Sequence, residues 1–226
     1  MPIIGDMARF TGSVLTGGLS GKAGTVVFVT RKDGIQYVKP RVTPRNPRTA
    51  GQTAARERMA AANRAWQSLD QVGFRQWAVF TEQYNAVYRA GIGLKDMGVP
   101  QLFVMLATKF LQVNPNGLVP TEPPLSVVVG DNVGFTLETI AAGKARLFAS
   151  QANALGMVTE VLIQVLPTAG RTAREGHFRH YGVVAFSSAG ENFLVEYEGR
   201  FASVAVRFVC EATGQASGLM VVGVAG

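Results

Sequence analysis

Three prolines spaced through one basic stretch decide how the first third of this chain can be built. Pro40, Pro44 and Pro47 fall in the run Lys39-Pro40-Arg41-Val42-Thr43-Pro44-Arg45-Asn46-Pro47-Arg48. Each proline removes a backbone donor and drives the residue before it towards extended backbone. Lys39, Arg41, Arg45 and Arg48 also repel one another along the run. Such a segment is neither helix nor interior strand. It is an extended arm that needs a surface outside itself. On its amino-terminal side, Val26–Thr30 and Ile35–Lys39 flank Asp33-Gly34, a strong hairpin signal. On its carboxyl-terminal side, Thr49 with Gln52 three residues on makes a capping box, so a helix is expected next. Residues 1–20 are Gly-rich with scattered apolar side chains and read as an extended arm or short edge strand.

Beyond the arm the apolar spacing becomes helical. Ala55, Met59, Ala62 and Trp66 define one face, and Phe74, Trp77, Phe80 or Thr81, Tyr84 and Tyr88 define another after a cap at Ser68–Gln71. Gly91 and Gly93 break the pattern. Pro100 suits the first turn of a third helix with Phe103, Leu106, Phe110 and Val113 on its apolar face. Asn114–Pro124 carries four prolines and an Asn-Gly pair, and reads as a linker. Short alternating runs come next, at Leu125–Val129, Val133–Glu138, Ala145–Ser150, Val158–Leu166, Gly182–Ser187, Phe193–Glu198, Ser203–Cys210 and Leu219–Val224. Strands at this spacing point to an immunoglobulin- or fibronectin-III-like β-sandwich without the Cys…Trp…Cys framework. The fold class expected is α+β. Residues 1–48 form arm, hairpin and basic segment, 49–113 a helical region, 114–124 a linker, and 125–226 the sandwich.

Charge narrows the function. The net charge is +7, and residues 1–64 hold eleven basic side chains against three acidic ones. A surplus confined to one third of a chain is the footprint of a polyanion or an acidic protein surface. Cys210 is the sole cysteine, which excludes an intramolecular disulfide and a Cys-based metal site; a reducing compartment is expected. No apolar run approaches a membrane span, and no signal-peptide layout opens the chain.

The search for chemistry returns little. Thr16–Thr25 resembles a phosphate loop only superficially: Thr16 stands where a Gly is required, Ala23 comes after Lys22, and the run precedes a strand. Glu175, His177 and His180 are too few for a metal centre, and their small polar surroundings suggest an exposed loop. A Ser/Cys–His constellation lacks parts, and no spacing selects a carboxylate pair. No catalytic, cofactor or metal residue is therefore expected. The arm remains, with Lys39, Pro40, Arg41, Pro44, Arg45, Asn46, Pro47 and Arg48 as partner-binding candidates and Arg56 and Arg64 as possible phosphate contacts. The second helix is too aromatic to read base edges, whereas contact with a nucleic-acid backbone needs charge alone.

The string Gly-Lys-x-Gly-x-Val-Val-Phe at Gly21–Phe28, the Gln36-Tyr37-Val38 beyond it, and Asn46-Pro47-Arg48-Thr49-x-x-Gln52 with Arg56, Trp66 and Trp77 resemble a family found in bacterial, phage and prophage genomes. The resemblance covers about residues 18–113 by motif and the remainder by architecture. It brings no catalytic residues and implies a structural role in a virion. The expectation is a non-enzymatic, homo-oligomeric assembly protein of a phage-like particle, capsid-associated, decoration or head–tail. It would be located in the virion, or in host cytoplasm before assembly, and would dock through its basic arm. Alternatives are a nonspecific nucleic-acid-binding protein using residues 22–64, and a sandwich module recognising carbohydrate or a cell surface.

Overall fold

The computed structural model describes residues 8–10, 21–42, 46, 48–90 and 95–226. The chain divides into two compact units, residues 1–49 and 50–226. It is a mixed α+β protein whose sheets are all antiparallel. The expected arm over most of residues 1–20, the arm residues Thr43, Pro44, Arg45 and Pro47, and the break at Gly91 and Gly93 lie outside the described residues.

The amino-terminal unit is a four-stranded sheet. Its strands are β1 (Ala8–Phe10), β2 (Gly21–Ala23), β3 (Val26–Thr30) and β4 (Gln36–Pro40), in the order β1-β4-β3-β2. The β3–β4 hairpin turns at Asp33-Gly34 as its sequence requires. Gly34 takes φ +80°, its N–H donates to Arg31 O at 3.0 Å, and Arg31 N–H donates to Ile35 O at 2.9 Å. Only glycine enters that backbone region without strain.

The second unit begins with three helices, α1 (Ala50–Gln67), α2 (Gln71–Tyr88) and α3 (Val99–Val113). Asp70 caps α2 by accepting from Gly73 N–H at 2.7 Å. Pro100 sits in the first turn of α3, and Gln101 Oε1 accepts from Gly98 N–H at 3.1 Å. Asn85 pins the connection between α2 and α3 by exchanging two 3.0 Å bonds with the Met97 backbone. Trp77, Phe80, Leu102, Phe103 and Leu106 form the helical core, with Trp77 edge-on to Phe103 at 4.9 Å between ring centroids. Both tryptophans thus serve packing, Trp66 from the cluster's margin.

Residues 114–124, expected as a linker, are seated on this core. Val119 packs into it, and Trp77 Nε1–H donates to Thr121 O at 2.7 Å. The remaining strands are β5 (Phe135–Ala141), β6 (Lys144–Ala149), β7 (Met157–Leu166), β8 (Arg179–Val184), β9 (Asn192–Glu196), β10 (Phe201–Cys210) and β11 (Met220–Ala225). They form two sheets, β5-β6-β9 and β11-β10-β7-β8. Alternate residues of both, including Leu147, Val161, Val195, Val204 and Val206, meet in one apolar cluster.

The alternating run Leu125–Val129 is not a strand, which corrects the sequence expectation. Its partner is a side chain instead of another backbone. Gln215, almost fully buried, accepts from Val128 N–H at 3.0 Å and donates to Ser126 O at 2.9 Å.

Tyr197 lies in the shared core, and its buried hydroxyl has no hydrogen-bond partner among the described residues. A buried unpaired hydroxyl costs stability that an apolar isostere does not. Tyr197→Phe is therefore expected to unfold at the same midpoint as the parent or later, by up to about 1 kcal/mol. Thermal unfolding of the two proteins compares them directly. A clear loss of stability would mean that the hydroxyl is satisfied.

Candidate functional site

Two features of the described residues stand out as functional candidates. The first is the amino-terminal sheet. Cross-strand partners share a face, so the register sorts its side chains. Ala23, Val26 and Pro40 align on one face, as do Phe28 and Val38. Lys22, Val27 and Lys39 align on the other, beside the Val29–Tyr37 pair. One face is mostly apolar, with the Thr30–Gln36 pair at its end, and its opposite sets Lys22 and Lys39 among Val27, Val29 and Tyr37. None of the described side chains of this unit is buried.

The sequence-predicted arm leaves this sheet directly. Lys39 and Pro40 are the last residues of β4, and Arg41 N–H extends the pairing by donating to Thr25 O at 2.7 Å. Arg41 and Arg48 are exposed, and Arg48 takes a positive φ of 48°. Asn46 is exposed and partnered. Pro44, Arg45 and Pro47 fall outside the described residues. Arg56 and Arg64 both lie exposed on α1.

The second feature was not legible in the sequence. Glu160 stands on β7 with its side chain 1% exposed. Arg207 lies directly opposite on β10, and its Nε–H donates to Glu160 Oε2. Lys109 and Gln112 descend from one face of α3, three residues apart. Lys109 Nζ reaches the two carboxylate oxygens at 3.0 and 3.1 Å. Gln112 Nε2 reaches Oε1 at 3.2 Å and accepts from Lys109 at 2.8 Å through its own oxygen. His180 Nδ1 completes the set, 2.8 Å from Oε1.

His180 arrives there because of a backbone irregularity. β8 pairs Val161 with Gly182 but Leu162 with His180, so Tyr181 is an extra residue. Such a bulge re-aims the side chains beyond it. Without it His180 would face the same side as Ile163, which packs into the shared core. With it, His180 joins Glu160 on the outer side of the sheet. The expectation that both histidines belong to one exposed loop therefore holds only for His177, which is exposed in a short 3-10 turn. His180 is a strand residue with one ring edge on a buried carboxylate.

This geometry sets the electrostatics. Burial pushes the Glu160 carboxyl up, but hydrogen bonds from His180 and Arg207 and the charges of Lys109 and Arg207 outweigh it. They hold the group well below the usual carboxylate range. Burial pushes the Lys109 ammonium down, against the pull of Glu160 and with the push of Arg207 and Arg58. A carboxylate held this firmly ionised is not poised for proton transfer near neutral pH. It fastens α3 to the sheet.

Among the described residues, no group of three or more His, Cys, Asp and Glu is placed to hold a metal ion. No described helix is long and apolar enough to cross a membrane. Comparison with family models, with curated proteins and with solved structures gives no match.

Proposed function

We propose that this chain is a non-enzymatic structural protein of a phage-like particle, capsid-associated, decoration or head–tail, and that its amino-terminal unit docks on neighbouring subunits. The observation that carries the reading is the sheet with no buried side chain among its described residues. Val26, Phe28, Val38 and Pro40 make one of its faces apolar. Sheets gain their stability by covering such a face, and a neighbouring subunit would supply the cover. The proline-spaced arm lowers the ordering cost of the contact because its backbone is already restricted. The particle context rests on the resemblance carried by Gly21–Phe28 and Asn46–Gln52.

The carboxyl-terminal sheets are read as a displayed fibronectin-III-like sandwich. In that reading the first, second and fifth strands of the domain form one sheet, and the fourth, third, sixth and seventh form the other. The order β5-β6-β9 against β8-β7-β10-β11 supports it.

Removing residues 1–48 tests the docking role. The full chain is expected to form a multimer in light scattering and electron microscopy. The truncated chain is expected to remain folded and to run as a monomer. Assembly without residues 1–48, or an unfolded truncation product, defeats the reading. The row Lys22–Val27–Lys39 favours a second reading, nonspecific contact with nucleic acid. The same two proteins address it, since binding by that face is lost with residues 1–48 and weakens steeply with salt.

A further inference from the structure

We propose that the solvent-facing side of α2 is a self-association surface, on which a second copy of this chain lays its own α2 antiparallel about a two-fold axis at Val79. Val72, Val79 and Ala86 recur every seven residues and so form one row along the helix. The row points away from Trp77 and Tyr84, which pack into the helical core. Val72 and Val79 are 62% and 57% exposed, and Ala86 is exposed as well. Beside the row runs the segment Pro123-Pro124-Leu125, with Leu125 fully exposed. Together with Val79 and Phe80 it lines an open groove whose rim carries Gln76 and Gln83. The groove widens the apolar face and gives a docked helix a second wall.

Charge identifies the occupant. From cap to cap the helix carries Asp70, Arg75, Glu82 and Arg89 and no other charged side chain. The order acid, base, acid, base becomes its own complement when it is reversed. An antiparallel pair centred on Val79 sets Val79 against its own copy and Val72 of each copy against Ala86 of the other. Arg75 and Glu82 share one flank of the row, so each meets its opposite charge across the axis. Gln76 and Gln83 share the other flank, where their amides can pair. Neither Arg75 nor Glu82 has an ion-pair partner among the described residues. Charges flanking an apolar seam select the partner helix and its direction. A parallel pair in register would leave Arg75 and Glu82 two turns, about 10 Å, apart. The contact is small, below about 1,200 Å², and a dissociation constant on the order of 1 mM is expected. At micromolar concentration the face is therefore empty, and it fills where copies are concentrated, as in an assembly. It lies within residues 50–226 and does not rest on docking by the amino-terminal unit.

Disulfide trapping in the full chain at about 1 mM tests the geometry, with the parent chain and its Cys210 giving the background rate. Val79→Cys places two thiols across the axis, whereas Val72→Cys places each thiol opposite Ala86. Val79→Cys is therefore expected to cross-link about tenfold faster than Val72→Cys, disulfides being strict about approach. Adding Arg75→Glu to Val79→Cys sets like charges against each other and is expected to slow cross-linking about tenfold. Adding Glu82→Arg as well restores the pairs and should restore the rate. Equal rates at the two cysteine positions, or no recovery in the double charge exchange, overturn the proposal. The comparison is made in free solution, so it stands whether or not the amino-terminal unit assembles.

Discussion

Replacing Gly214 by alanine is expected to remove about 4 kcal/mol or more of stability, among the largest single losses available in this chain. Gly214 takes φ +72°, and a Cβ built there would lie 2.3 Å from Leu106 O and 2.6 Å from Phe110 N. Both contacts are main-chain atoms of α3, so no side chain can rotate away to make room. The turn also has no slack. Gly214 N–H donates to Cys210 O, and Cys210 N–H donates to Gln215 O, each at 2.9 Å. Moving the turn off the helix therefore drags Gln215 from Ser126 and Val128. The Val128 carbonyl in turn accepts from the Tyr88 hydroxyl on α2. Gly190→Ala is the companion measurement. Gly190 has φ +78° but open space around its Cβ position, so it carries the backbone strain alone, about 1 kcal/mol. Chemical denaturation of both variants separates the two causes. Equal losses would show that the close approach to α3 contributes nothing.

Glu160→Gln is expected to cost about 3–5 kcal/mol, because it leaves Lys109 and Arg207 charged beside a neutral group that no longer repays their desolvation. The same side chain governs acid stability. The folded-state pKa of Glu160 lies below its ordinary value of about 4.3. Its contribution is therefore complete above that value and is lost as pH falls from it towards the folded pKa. The parent protein should weaken progressively below about pH 4.3, whereas Glu160→Gln should lose this component of the slope. Unfolding free energies measured from pH 7 downward give both results at once. Parallel slopes would remove Glu160 from the account. Replacing the cluster wholesale by apolar side chains is a different experiment, since pairs removed together leave no stranded charge.

Much of the architecture is written in local patterns. The helix at Gln71 is announced by Asp70, the one at Val99 by Pro100, and the hairpin by Asp33-Gly34, because caps and turns are solved by neighbouring residues. Seven of the eight alternating runs are strands for the same reason. Leu125–Val129 alternates as well as the others, but pairing is a tertiary fact and its partner is the Gln215 side chain. Glu160 was hidden differently. In the run Val158–Leu166 a single glutamate fits a solvent-facing position, and nothing nearby records that α3 covers that face. Lys109 and Gln112 likewise read as the polar side of a helix. The arm shows the opposite balance: its chemistry is plain in the sequence, while several of its residues lie outside the described structure.

The extra residue at Tyr181 makes the Glu160 cluster a matter of parity. In a strand, orientation depends on whether the number of residues counted from a fixed point is odd or even. Pairing every residue from Gly182 to Arg179 in regular succession, with no bulge, would change no charge and no hydrogen-bonding group of the cluster. It would nevertheless turn an imidazole towards an apolar interior and leave Glu160 one donor short. Substitution at His180 alters what the side chain is; the bulge decides which compartment receives it. Deleting Tyr181 is the change of length that leaves His180 opposite Leu162 and on Glu160, because it removes the extra residue and the bulge together in this edge strand.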